Sequence, residues 1–552
     1  MDPALLRDPG LWFIMLLAGA VSLLTALNVA ARPAAILTGK VALAFSISQV
    51  FFMITRFANL FYLPLMARHV DEATRTGRTE ILYGQIQWVI VGAAGGAFLS
   101  WVLLPTFVEV YRQGIQAMDR FASMTRVLVR MLHPSAWMAA LRALRRPSNL
   151  GISLFRLEGV PADFLLVNVA ASAIWTVGAL CAVYVSAIIP QYKSTAVLLS
   201  GLVNAFAAIA FSIWVDPRAA VITDQVIKGE RKPEQVSIVA VHLAAGNFLG
   251  GCLGLVVFYP GVALIQWATL AVGSQGESLV GSLWLIVLLN VLFALMASTT
   301  YSSRVSAVVT RKVASALAIY NLFFLITRLA GQIYAPILGA LSDHVVSSPT
   351  LHLGHLTVMF RWVLLGSAVG ACLGWLLMPT FVEVYNRAIE QLNKKNGSVP
   401  AVIFASLNPR NWTTILSCLR RPSLFGLRAA DYRRIPRGFI LANVLVIAVH
   451  TVGVVAAIYA GANLDQELAR TATLLSSVVN GIATITLSIV VDPMSALITD
   501  QTVKAERPTE DIYAMAVLLM GGMLLGTLLS QLILLPAAEL IGLGARLLDA
   551  LF

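Results

Sequence analysis

The sequence predicts an all-α polytopic membrane protein of about 12 transmembrane helices, arranged as two parallel six-helix repeats. Three observations predict it. The chain of 552 residues is 58% hydrophobic and only 12% charged, with a mean hydropathy of +0.82, whereas soluble domains are about 45–50% apolar and about 25% charged. Apolar stretches of roughly 20 residues, enough to cross about 30 Å of hydrocarbon, recur from end to end and leave no room for a large soluble domain. The chain also repeats itself: FFMITRFANLFYLP from Phe51 returns as FFLITRLAGQIYAP from Phe323.

In the first repeat the spans are expected at roughly 11–31, 41–67, 85–108, 162–188, 194–215 and 236–258. The first lacks the basic region of a secretory signal and follows acidic Asp2 and Asp8, so it reads as a retained helix. The second repeat follows by self-alignment. Arg56 falls on Arg328 at an offset of 272, PTFVEVY from Pro105 on its copy from Pro379 at 274, and LRRPS from Leu144 on its copy from Leu419 at 275. SIWVDPRAAVITDQ from Ser212 falls on SIVVDPMSALITDQ from Ser488 at 276. This is a tandem duplication, with repeats over 1–275 and 276–552. An even number of spans per repeat makes both copies enter the bilayer in the same direction. Such a fusion looks like a covalent dimer, which leaves the oligomeric state open, with a monomer among the options.

The net charge of +12 is read loop by loop in a membrane protein, because Lys and Arg collect on the cytoplasmic side. In the first repeat the loops after spans one, three and five carry 14 Lys and Arg, against five, Arg7, Arg68, Arg75, Arg78 and Lys193, on the opposite side; in the second repeat the opposite loops after spans eight and ten hold only Arg470. Both termini are therefore expected in the periplasm of a bacterial inner membrane, and nucleic acid is not an expected partner. Tyr111 to Pro147 interleaves arginines with apolar residues at helical spacing. It reads as an interfacial helix on anionic lipids or as a plain basic connector; Tyr385 to Pro422 is a weaker copy. Cys181, Cys252, Cys372 and Cys418 show no Cys-x-x-Cys spacing, and His352 with His355 lacks a third ligand, so no metal or other cofactor is expected. Small residues at four-residue spacing, Gly92 and Gly96, Gly366, Gly370 and Gly374, and Gly246, Gly250 and Gly254, mark close helix contacts.

The candidate site starts from the paired arginines. A guanidinium at mid-membrane costs roughly 2.5–3.5 kcal/mol on insertion scales, so matched copies point to use, or else to an internal ion pair that locks helices. Gln49 and Asn59 share a helical face with Arg56, and Asn321 and Gln332 accompany Arg328; a polar stripe at this depth faces protein or a wet cavity. Arg32 and Arg304 stand at the ends of the first spans of the repeats. Asn168 and Thr176 with Asn443 and Thr451, and Ser200, Asn204 and Ser212 with Ser476, Asn480 and Ser488, line the same cavity or act as interhelical glue. The cavity field favours an anion. Asp216 and Asp492 read as caps of new short helices that begin with Pro217 and Pro493. Asp224 and Asp500 are then left to pair with Arg32 and Arg304 or to gate an opening. No phosphate loop, His-Glu-x-x-His, Ser-x-x-Lys or Gly-x-Ser-x-Gly occurs, so a transporter is expected rather than an enzyme.

The stretch TTYSSRVSAVVTRKVASALAIYNLFFLITRLAGQIYAPILG, from Thr299 to Gly339, with the later VDPMSALITDQ, resembles the Amj family of bacterial lipid II flippases that serve as alternates to MurJ. The family pattern has about half this length, a Tyr-Ser-x-Arg start, a following basic pair, a span-two arginine before Ala-Pro-x-x-Gly, and a Val-Asp-Pro box. In the first half Val29, Ala30 and Leu63 depart from it, while Arg32, Lys40, Arg56 and Asp216 keep it. The resemblance implies movement of undecaprenyl-diphosphate-linked peptidoglycan precursor from the inner to the outer leaflet. An arginine suits that cargo, since a guanidinium grips a diphosphate bidentately. Another polyprenyl-linked lipid, a small organic anion, or a non-catalytic scaffold for envelope assembly are the alternative readings.

Overall fold

In the computed structural model the described residues are 3–39, 41–121, 142–145, 162–215, 229–394, 416–421, 432–465, 468–503 and 505–551, with positions 219, 222, 223, 225, 226, 408 and 413. Among them there is no strand. They form two compact units, Met1–Thr269 with Leu551–Phe552, and Leu270–Ala550. Nine helical segments among the described residues are long and apolar enough to cross a membrane. The helices at Val41–Thr76, Val313–Ser347 and Ser476–Thr486 are not among the nine. The all-helical membrane architecture is thus as expected, and nine spans by this measure stand against about twelve expected.

The first unit runs α1 (Pro9–Leu27), α2 (Ala31–Thr38), α3 (Val41–Thr76), α4 (Thr79–Val102), α5 (Leu104–Phe121), α6 (Ala162–Ile188), α7 (Lys193–Ala210) and α8 (Glu234–Gly273). Helix α7 continues into a π-helical turn at Phe211–Val215. Lipid gives helices no hydrophobic reason to associate, so close backbone approach and interhelical hydrogen bonds hold them. Helix α4 meets α1 where a Cβ on Gly96 would overlap the Gly19 carbonyl and one on Gly92 would press on Met15. Helix α6 meets α8 where the Asn168 amide donates to the Leu243 carbonyl at 3.2 Å, over the space left by Gly246.

The second unit comprises α9 (Gly276–Gly281), α10 (Leu283–Thr310), α11 (Val313–Ser347), α12 (Leu353–Leu376), α13 (Met378–Lys394), α14 (Arg437–Asn463), α15 (Ala469–Leu474), α16 (Ser476–Thr486), α17 (Asp492–Val503) and α18 (Glu510–Leu551). A π-helical turn at Leu487–Val491 joins α16 to α17. The packing of the first unit recurs: Gly370 backs onto Val291 and Gly374 onto Ser298, and Asn443 donates to the Leu519 carbonyl at 3.1 Å beside Gly522. Asn168 and Asn443 are both fully buried, and Thr176 and Thr451 return their hydroxyls to Ser172 and Ile447 of their own helices. Of the two readings of this stripe, interhelical glue fits the asparagines, whose amides donate to backbone carbonyls of a neighbouring helix, while the threonine hydroxyls bond within their own helices. His352 and His355, three apart, are likewise joined locally, the His352 N–H donating to His355 Nδ1 at 3.1 Å where α12 begins.

The two repeated loop motifs meet each other. Helices α5 and α13 open with PTFVEVY. The hydroxyl of Thr106 accepts the Arg145 backbone N–H at 3.0 Å, and that of Thr380 accepts the Arg420 N–H at 2.9 Å. Glu109 pairs with Arg112 at 2.7 Å and Arg145 at 3.6 Å; Glu383 pairs with Arg387 at 3.1 Å and Arg420 at 3.2 Å. Each PTFVEVY thereby clamps the LRRPS of its own unit. The loop stretch 122–141 lies outside the described residues.

Candidate functional site

Arg304 lies six residues before the end of α10, with its side chain only 14% exposed. Its partner is Asp492: Nη2 stands 3.9 Å from Oδ1, and the carboxylate is 45% exposed. Asp492 reaches α10 because of the π-helical turn before it. Pro493 has no N–H to give the carbonyl four residues back, and a wider turn accommodates that loss while shifting the helical phase. The structure corrects the capping reading here. Asp492 is itself helical, at φ −64° and ψ −44°, and follows a helical turn, whereas a cap is a non-helical residue whose side chain serves unpaired N–H groups. The carboxylate meets a guanidinium instead, in the role expected of Asp500.

Two tyrosines adjoin this pair and a third lies behind them, and the sequence reading missed them. The Tyr320 ring, from α11, lies under the Arg304 guanidinium, 5.9 Å from Cζ to centroid. Tyr301, one turn before Arg304, is within electrostatic reach of Tyr320 and Asp492. Tyr385, from α13, stacks on Phe323 with centroids 5.0 Å apart. It is 1% exposed, with the Thr299 hydroxyl beside its own and Tyr320 close by. The signal available in sequence was the Tyr-x-x-Arg spacing of Tyr301 and Arg304, which places both on one helical face; nothing linear joins Tyr320 or Tyr385 to them.

The equivalent place in the first unit is built differently. Where α10 runs unbroken, α1 stops at Leu27, a 3₁₀ turn spans Asn28–Ala30, and Arg32 sits half-buried in the short α2. Pro33 is the cause, standing where the second unit has Val305; a proline inside a continuous helix clashes with the preceding turn, but it fits the first turn of a new one. Val29 and Ser48 replace Tyr301 and Tyr320. The surrounding core is Ala30, Ala31, Ala34, Ala35 and Ala44 with Ile47 and Tyr111.

Of the other sequence candidates, Gln49, Arg56 and Asn59 lie on α3, and Asn321, Arg328 and Gln332 on α11, with side chains outside the described ones. Asp216 and Asp224 lie outside the described residues, as does the side chain of Asp500 on α17. A further charged group was not anticipated. Asp511, 2% exposed, faces Arg434 at 3.8 Å and Arg507 at 3.3 Å, and Arg507 donates to Gln501 at 2.8 Å. The first unit has Gln235 there, accepting from Arg231 at 3.4 Å.

A family model described as Amj, alternate to MurJ, matches the chain twice, over residues 17–269 and 289–544. The chain belongs to the Amj family. A curated relative described as "Lipid II flippase Amj", from Bacillus subtilis (strain 168), is 33% identical over 238 residues, 43% of this chain and 87% of the relative. No solved structure matches the chain. Nearly the whole of an Amj relative thus corresponds to less than half of this chain, which carries the Amj unit in tandem. In the second Amj unit the Tyr-Ser-x-Arg and Val-Asp-Pro elements meet through Arg304 and Asp492.

Proposed function

We propose that this Amj-family chain is a transporter, a lipid II flippase of the bacterial inner membrane. The observation that carries the reading is the double Amj match together with a curated lipid II flippase relative. The site chemistry supports it. A recessed arginine with a loosely held counter-ion suits a ligand carrying paired phosphoryl oxygens, which a guanidinium binds through two parallel N–H donors. Arg56 and Arg328, with Gln49, Asn59, Asn321 and Gln332 beside them, extend the cationic path to mid-membrane in this reading, and the site works by alternating exposure to the two leaflets. In this reading, which the distribution of positive residues supports, Arg145 and Arg420 lie in the cytoplasm and both termini in the periplasm, and the amphipathic α5 and α13 rest on the anionic inner leaflet.

Expression in cells depleted of every other lipid II flippase tests the function. The chain is expected to restore growth and make lipid II accessible on the outer face, and Arg328→Ala is expected to remove rescue without preventing insertion. Well-inserted wild-type protein that leaves lipid II on the inner leaflet, in a host with matching precursor chemistry, overturns it. Labelling of an Arg145→Cys variant by an impermeant reagent in intact cells overturns the orientation.

A further inference from the structure

We propose that Leu144 in the first unit and Leu419 in the second are lipid anchors: each inserts its side chain among the acyl chains of the leaflet it meets, and the arginines around it bind the phosphates of anionic headgroups. The proposal rests on the reading that these loops meet an anionic leaflet, to which it gives the residues, and not on the identity of the cargo. Its first support is exposure. Leu144 is 56% and Leu419 69% exposed, and both lie outside the helical segments that, among the described residues, are long and apolar enough to cross a membrane. A lone exposed leucine is ordinary on a protein surface; the same leucine exposed in both copies, by the same construction, is a feature of the motif.

That construction is the threonine clamp. The residue before each leucine is buried, Ala143 in one unit and Cys418 in the other. The residue after it is tied through both backbone groups. Thr106 accepts the Arg145 N–H and donates to its carbonyl at 3.4 Å, and Thr380 does the same for Arg420 at 3.3 Å. The leucine between is held outward. The second support is charge. Glu109 is shared by Arg112 and Arg145, and Glu383 by Arg387 and Arg420, so each clamp carries more positive charge than its carboxylate cancels. The exposed Arg142 and Arg421, each two residues from its leucine, add to it. Cations around an exposed apolar side chain complement a layer of phosphates over hydrocarbon. The third support is how α5 and α13 spend their apolar stripes. Leu104, Tyr111 and Ile115 are buried in the core of the first unit, and Tyr385, Ile389 and Leu392 in that of the second. Apolar contact with the leaflet therefore falls to the tip that each helix clamps.

The test uses the full chain in nanodiscs of phosphatidylglycerol or of phosphatidylcholine, with the photo-crosslinking residue benzoylphenylalanine in place of Leu144 or Leu419. Both positions are expected to give lipid adducts in phosphatidylglycerol and markedly fewer in phosphatidylcholine. Arg142→Gln with the first probe, and Arg421→Gln with the second, should lower the phosphatidylglycerol yield about fivefold, the equivalent of about 1 kcal/mol per arginine at an anionic surface. Equal yields in the two lipids, lipid adducts from one unit only, yields unmoved by the arginine variants, or, in intact cells, adducts to a second protein in place of lipid would each overturn it. Both leaflets of such a nanodisc carry the same lipid, so the outcome is independent of which side the loops face and of what is transported. Impermeant labelling of Arg145→Cys and flippase rescue decide those two questions separately.

Discussion

The Thr106 and Thr380 clamps share their threonine, glutamate and loop arginine and differ in the local arginine, which pairs from three positions on as Arg112 and from four positions on as Arg387, whereas the surroundings of Arg32 and Arg304 differ in most of their residues. In both clamps a threonine hydroxyl takes an arginine N–H and a glutamate takes two guanidinium groups, within a few tenths of an ångström of the same distances. Around the first-span arginines, Pro33 corresponds in sequence to Val305, Val29 to Tyr301 and Ser48 to Tyr320. The buried acid Asp511 likewise corresponds to the neutral Gln235. After a duplication, contacts that hold each unit together remain under demand in both copies, because each unit must keep its own helices in place. Around the first-span arginines that shared demand does not hold, and one copy packs tyrosines where the other packs alanine, valine and serine.

Introducing the proline of one unit into the other breaks this comparison with the largest expected effect. Val305→Pro should interrupt α10 as Pro33 interrupts the first unit, at a cost of about 3 kcal/mol or more, and should withdraw Arg304 from Asp492. Thermal unfolding in detergent and the loss of flippase rescue would show it; an unchanged melting temperature would mean that the break in the first unit has another cause. Thr106→Val and Thr380→Val sharpen the other side of the comparison. Each should cost about 1 kcal/mol, the net worth of one hydrogen bond, and by the same amount in both units; a cost confined to one would show that the clamps have diverged too.

A smaller effect is expected at the ends of these first spans. The chain turns through left-handed backbone at Gly39, φ 68°, and at its counterpart Arg311, φ 54°. Only glycine adopts that conformation without strain, so Arg311→Gly should raise stability by about 1 kcal/mol and Gly39→Ala should lower it by a similar amount. A drop in melting temperature for Arg311→Gly would assign the arginine side chain a contact worth more than the strain. The smallest effect is in pH. The hydrogen bond from Arg112, helped by Gln113 and the Arg145 charge, holds the Glu109 carboxyl at about 2, below its ordinary 4.5. The stability from this pair is complete above that ordinary value and is lost as pH falls through about 2. Glu109→Gln should flatten the acid limb of an unfolding curve over that window, and an unaltered limb would show that the pair contributes nothing.

Read along the chain, the residues determined the membrane class, the duplication, the family and the importance of charged groups such as Arg304 and Asp492. These are properties of local composition and of repetition, which survive without knowledge of how helices pack. Tertiary structure decided who meets whom. Asp492 faces Arg304 from the end of a π-helical turn, which resets the phase of the helix, and hydropathy carries no record of phase. Tyr320 and Tyr385 join that site from separate helices, α11 and α13, at sequence separations that no motif spans. Asn168 and Asn443, polar residues in apolar runs, look the same in sequence whether they line a cavity or tie helices. The carbonyls of Leu243 and Leu519 within hydrogen-bond reach resolve that choice, since only packed backbones bring such acceptors to a side chain inside a bilayer.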